Sequence, residues 1–166
     1  MEAKAVRMLD ENRIASVATL RPDGWPQATI VSYANDGLAL YFVISRASQK
    51  FANLLWDSRV SITVGKDFDE PSQIRGLSIA AHADEVRDPG NRRRAVELVV
   101  DRHPELRSLP VPLAEQAAVI RATPIYVTIA DYSRGLGHTD LLTVAPGGVE
   151  MTAERDRVWG FLPDEV

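Results

Sequence analysis

The segment Tyr41-Phe42-Val43-Ile44-Ser45-Arg46-Ala47-Ser48-Gln49-Lys50 gathers groups that bind anions. An apolar run ends, two hydroxyls and two cations follow, and a helical pattern starts at once. Helix N-termini carry unpaired N–H groups and a partial positive charge, so they attract phosphates. Arg46 and Lys50 would add charge-assisted hydrogen bonds to the same group. The plainer alternative is a capped surface helix with two solvated cations. A second segment, Asp131 to Asp140, places Arg134, His138 and Asp140 around a turn bracketed by Gly135 and Gly137. Imidazole titrates near neutrality, so His138 is the candidate proton-transfer group, with Arg134 orienting a substrate. A structural hydrogen-bonding role is the alternative for His138. His82 and Asp84 share a face if their segment alternates. A buried, hydrogen-bonded His82 is expected there.

These groups need elements to hold them. Helical spacing over 3–11 puts Ala5, Val6 and Leu9 on one face. Strands are expected over 14–20, 26–34 and 38–44. The first pair is joined by the turn Arg21-Pro22-Asp23-Gly24, and the second by the hairpin signal Asn35-Asp36-Gly37. A helix over 48–57 opens on Ser48, a good N-cap, with Phe51, Leu54 and Leu55 on one face. A half-buried strand follows over 58–65, then an acidic loop and a long β-rich run over 73–87. Asp88-Pro89 opens another helix, with Val96, Val99, Val100 and His103 on one face. Residues 117–132 are β-branched and apolar, and Pro124 suggests two strands or one bent edge strand. A last strand over 139–145 is turned by Pro146-Gly147-Gly148.

Strands in meander blocks, with no regular βαβα alternation, argue against a parallel sheet. The expected fold is mainly β (α+β): a six- to seven-stranded antiparallel barrel with short helical insertions. One domain over 1–146 is expected. A tail over 147–166, with Trp159, would pack on the domain or a partner.

Composition narrows the chemistry. The chain has 166 residues, no cysteine and 3 histidines. Disulfides, thiolate zinc sites and thiol nucleophiles are excluded, and an all-histidine metal site is disfavoured. The net charge of −4 provides no basic excess for phosphate backbones, so nucleic acid is not an expected partner. No window approaches eighteen uninterrupted apolar residues, and the first residues do not read as a signal peptide. No membrane association is expected, and the cytoplasm is the default compartment.

Four runs together resemble the pyridoxamine 5′-phosphate oxidase-like family of FMN-binding split barrels. They are Asn12 to Thr19, Arg21 to Pro26, Tyr41-Phe42 leading into Ser45 to Lys50, and Asn53 to Val64. The resemblance implies FMN along the strand Gln27-Ala28-Thr29-Ile30-Val31. It implies a phosphate held by Ser45, Arg46, Ser48, Gln49 and Lys50, with Val43 and Ile44 beside them. Gln73 and Arg75 match positions that reach the flavin from the other chain, so a homodimer with shared sites is implied. The small residues Ala15, Ser16, Ala18 and Thr19 suit either a flat ring or ordinary strand packing. The implied activity is an FMN-dependent oxidoreductase acting on an unidentified small molecule. One position departs from the pattern: Gln49 stands where the family oxidase usually has a second basic residue. That departure leaves open a haem or deazaflavin cofactor, including a deazaflavin-dependent reductase. It also leaves open a flavin- or haem-binding protein of storage, sensing or haem handling without strong turnover.

Overall fold

The structure is a computed structural model and describes residues 1–108 and 115–155. Among them, nine strands form one antiparallel sheet, curled into a half-barrel, with three α-helices packed around it. The strands are β1 (Ile14–Leu20), β2 (Pro26–Ser32), β3 (Ala34–Asp36), β4 (Ala39–Ser45), β5 (Arg59–Gly65), β6 (Arg75–Glu85), β7 (Ala117–Asp131), β8 (Thr139–Ala145) and β9 (Gly148–Arg155). The helices are α1 (Glu2–Asp10), α2 (Gln49–Trp56) and α3 (Pro89–Arg102). The spatial order is β2-β1-β5-β6-β7-β4-β3, with β8 and β9 continuing from the far half of β7.

Alternation decides the inner face. In β5, Val60, Ile62 and Val64 are buried while Arg59, Ser61 and Thr63 face outward. Ile79, Val127 and Ile129 from the next strands join them, with Val17 and Phe42, in one core. Gly37 closes the β3–β4 hairpin at φ 58°, a left-handed conformation that glycine adopts without steric cost.

The strand count exceeds the expected six or seven for two reasons. The run 26–34 breaks at Tyr33, which is fully buried and donates its hydroxyl to the Leu9 carbonyl at 2.8 Å. The chain therefore leaves β1 after Ser32 and pairs with β4 from Ala34. Residues 148–155 also form a strand, hydrogen-bonded to β8, so the sheet continues past 146. Trp159 lies outside the described residues.

Pro124 neither splits β7 nor puts it on an edge. β7 is a single strand of 15 residues, paired on both sides. Its first part pairs with β4 up to Ala122, and its later part with β8 from Tyr126. Pro124 sits in the interval between these partners. There the β6 register also shifts, with Ala81 opposite Pro124 and Ala80 opposite Tyr126. A proline without an N–H is tolerated at such an irregularity.

Candidate functional site

The start of α2 is built as its sequence requires. The Ser48 hydroxyl accepts from the Phe51 N–H at 3.2 Å and donates to the Ser45 carbonyl at 2.7 Å. The Ser45 hydroxyl accepts from the Ala47 N–H. Both hydroxyls thus shape the turn. Arg46 is paired with Glu85 at the end of β6 and lies over the Phe51 ring, 5.3 Å from its centroid. Lys50 differs. It is 8% exposed, and among the described residues no acceptor or carboxylate meets its ammonium. Burial pulls its pKa below the usual lysine value.

Behind Lys50 on the buried face of α2 lies Asn53, fully enclosed. Its Nδ2 donates to Thr19 Oγ1 at 2.9 Å and to Gln27 Oε1 at 3.1 Å, while its Oδ1 accepts from Gln49 Nε2 at 2.9 Å. The Gln49 amide is therefore turned into the chain. Sequence reasoning did not single out Asn53. The available signal was a polar residue three positions after Lys50, between Phe51 and Leu54 on a helical apolar face.

The strand Gln27 to Val31 does not present one surface. Gln27 and Thr29 are half-buried on the side of Thr19 and α2, whereas Ala28 and Ile30 face outward. Thr29 Oγ1 is buried without a hydrogen-bond partner. Val43 is partly exposed and Ile44 is buried.

A cavity of about 530 Å³ adjoins this region through Glu85. Asp84, Arg94, Leu98 and Arg121 are among its walls, and Tyr41 lies across the β4–β7 register from Arg121. The Arg121 guanidinium stands 6.0 Å above the Tyr41 ring centroid. The two residues are eighty positions apart in the chain, and only the strand pairing joins them.

The other candidates cluster elsewhere. Arg75 Nε lies 3.4 Å from Asp131, which also receives Lys4 Nζ at 2.6 Å and the Ser133 hydroxyl at 2.6 Å. Burial alone would raise the Asp131 pKa, but the Lys4 and Ser133 hydrogen bonds outweigh it and hold it at about 2. Gln73 lies in the short 3₁₀ turn just before Arg75. His138 is buried, its Nε2 3.2 Å from Asp140, and Arg134 spans both Asp140 oxygens at 3.2 and 3.3 Å. Gly137 has φ 83°, which lets the loop fold back so that Asp131 N–H reaches the His138 carbonyl at 3.1 Å.

His82 is exposed on the outer face of β6, with Nδ1 2.8 Å from Ser58 Oγ, which corrects the expectation of burial. Strand alternation put the neighbouring alanines, Ala81 and Ala83, inside instead. The buried histidines are His138 and His103, and His103 Nε2 donates to the Tyr33 carbonyl at 2.8 Å.

Arg75 begins β6 and Glu85, the partner of Arg46, ends it. Ten residue steps of extended chain separate them by roughly 33 Å. Within one chain, the Lys50 group and the Gln73/Arg75/His138 group therefore stand at opposite ends of the sheet.

A family profile described as pyridoxamine 5′-phosphate oxidase matches residues 1–149, which span all the elements above up to the start of β9.

The chain belongs to the pyridoxamine 5′-phosphate oxidase family.

Solved structures of the family's split-barrel fold superpose on this member. A conserved hypothetical protein from Mycobacterium tuberculosis is 26% identical with a TM-score of 0.69, over 80% of this chain and 85% of that one. A heme binding protein from Mycobacterium smegmatis is 16% identical with a TM-score of 0.67, over 91% and 86%. A pyridoxamine 5′-phosphate oxidase-related, FMN binding protein from Nostoc punctiforme is 12% identical with a TM-score of 0.65, over 91% and 94%. No curated protein sequence matches the chain. No helix among the described residues is long and apolar enough to cross a membrane.

Proposed function

We propose that this family member is an FMN-dependent oxidoreductase that works as a homodimer and holds the flavin phosphate at the start of α2. The observation that carries this reading is Lys50, whose largely buried side chain brings its ammonium to the surface beside a Ser48-capped helix start without an anionic partner among the described residues. A partly desolvated cation without a counter-charge is unfavourable, and a bound phosphate would supply that charge. Thr29, with its unpartnered hydroxyl, and Gln27 lie on β2, the strand that family resemblance assigns to the cofactor. These groups suit a phosphorylated flavin. Arg46 would join Lys50 on the phosphate by sharing or leaving Glu85.

A bound flavin would supply the hydride chemistry, and the protein would supply position and electrostatics. Lys50 would neutralise the phosphate, while the Ser48 cap keeps the first turn of α2 in shape to receive it. Gln27 and Thr29 would orient the cofactor along β2. Gln73 and Arg75 would act on the flavin of the partner subunit, since their own cofactor end is roughly 33 Å away along β6.

Dimer formation has a surface to use. β2 is an edge strand bonded only to β1 among the described residues, and its outward-facing Ile30 is 71% exposed. An exposed strand edge with an apolar face favours pairing with another copy.

Haem is the competing cofactor, since a similar fold carries it in the mycobacterial heme binding protein. No observation here favours it over FMN: the two buried imidazoles, His103 and His138, are both engaged in hydrogen bonds. The test is purification followed by absorbance and mass spectrometry of the released cofactor. Flavin absorbance with FMN released is expected. A Soret band, or no FMN uptake on titration, overturns the reading.

A further inference from the structure

We infer that Asn53 fixes which end of the Gln27 side-chain amide faces the ligand, so that Gln27 presents a donor and selects an acceptor atom. The polarity follows from a chain of hydrogen bonds that has one consistent direction. The main-chain carbonyl of Gln27 can only accept, so the Thr19 hydroxyl, 3.4 Å away, gives its proton there. Thr19 Oγ1 then accepts from Asn53, at 2.9 Å, so the Asn53 atom facing it is the nitrogen. The second hydrogen of the same nitrogen goes to Gln27 at 3.1 Å, so the Gln27 atom facing Asn53 is the oxygen. Asn53 Oδ1 is left as the acceptor for Gln49 Nε2. All four bonds are satisfied in this sense.

Two groups remain outside the chain of bonds. Gln27 Nε2 meets no acceptor among the described residues, and Gln27 is only half-buried. Gln49 is exposed and gives one of its two amide hydrogens to Asn53. The network therefore fixes a free donor on β2. Asn53 is fully buried, so its bond to Thr19 at the centre of the network is shielded from competing water.

The choice of ligand rests on the FMN reading; the amide polarity does not. A flavin ring carries carbonyl oxygens and ring nitrogens that accept, and a fixed donor against one of them favours the reduced, more electron-rich ring. Asn53 is thus a positioning residue that acts through Gln27.

The test pairs a spectroscopic measurement with a double-mutant cycle. In flavin-free, nitrogen-15-labelled protein, the Asn53 side-chain N–H pair should exchange slowly with solvent and the Gln27 pair rapidly. FMN should then protect Gln27. Protection of Gln27 in the flavin-free protein overturns the proposal, and this readout needs no variant and no flavin. Asn53→Asp removes both donors, so Gln27 must turn to present its oxygen. FMN affinity should fall roughly tenfold or more, in line with loss of one hydrogen bond and an unmatched acceptor, and the flavin midpoint potential should drop. In a Gln27→Ala background the same change should add less than about twofold. An equal loss in both backgrounds means that Asn53 serves the fold alone and sinks the proposal. Absence of FMN binding by the unaltered protein refutes the cofactor reading, and the exchange pattern still decides the amide polarity.

Discussion

Arg102, the last residue of α3, donates its guanidinium to the Leu9 carbonyl at 2.9 Å, closing the C-terminal end of α1. The same nitrogen reaches the carbonyls of Asp10 and Asn12. The last carbonyls of a helix lack intrahelical partners and carry partial negative charge, so a half-buried guanidinium satisfies both needs. Tyr33 donates to the same Leu9 carbonyl, which ties the β2–β3 break, α1 and α3 into one knot.

Arg102→Ala should therefore destabilise the fold by about 2–3 kcal/mol, because several carbonyls lose a charged donor at once. Thermal unfolding should show a midpoint lowered by roughly 4–12 °C for a chain of this size. An unchanged midpoint would mean that water replaces the guanidinium at no cost.

Lys50→Met should weaken FMN binding by at least roughly tenfold, the scale of one charge-assisted hydrogen bond. It should also leave the ligand-free protein as stable or more so, since it removes a partly desolvated, unpaired charge. Isothermal titration and thermal melts read the two effects separately. Retained affinity would remove Lys50 from the phosphate site.

The pH dependence of FMN affinity follows from the same residue. Burial depresses the Lys50 pKa from 10.5, and a bound phosphate would restore the charged form. Affinity should be full below the depressed pKa and fall as pH rises through it. Stability of the ligand-free protein should move the other way, rising with pH toward 10.5, because the unfolded chain holds that proton more tightly. Titrations across the alkaline range check both signs; a flat affinity profile in that range contradicts the assignment.

Asp131 should govern acid stability at the opposite end of the sheet. Its pKa is held at about 2 against an ordinary 3.8. The Lys4 and Ser133 contacts are worth their full amount above 3.8, and that stability is lost as pH falls from 3.8 to about 2. Allowing for screening at the partly exposed Lys4, about 1–2 kcal/mol is involved. Asp131→Asn should flatten this part of the denaturant-midpoint profile between pH 4 and 2.

Ile30→Glu should shift the protein toward monomer in sedimentation and reduce flavin retention together. A dimer that persists with the flavin lost would place the interface elsewhere.

Much of the scaffold was legible from local chemistry. β1 falls on the expected 14–20, the Ser48 and Asp88 caps are in place, and the hairpin at Gly37 is where Asp36-Gly37 put it. These features depend on neighbours in the chain, so a linear pattern encodes them. Pro124 misled because a proline's effect depends on what lies beside the strand, and the handover from β4 to β8 is a long-range fact. His82 misled for a related reason: alternation gives the period of a strand but not which phase faces the core.

The candidate site divides along the same line. The sequence by itself determined a cysteine-free, mainly β chain with two cations and two hydroxyls at one helix start, because composition and helix capping are local properties. Only the tertiary structure decided what those cations do. It placed Glu85, 39 residues from Arg46, against one guanidinium, and left the Lys50 ammonium without a carboxylate among the described residues. It also brought Asn53 to Thr19 and Gln27, and set Arg75 at the far end of the strand that ends in Glu85. Charge pairing, burial and separation across a sheet depend on which strands lie side by side, and strand pairing is not written in any single segment.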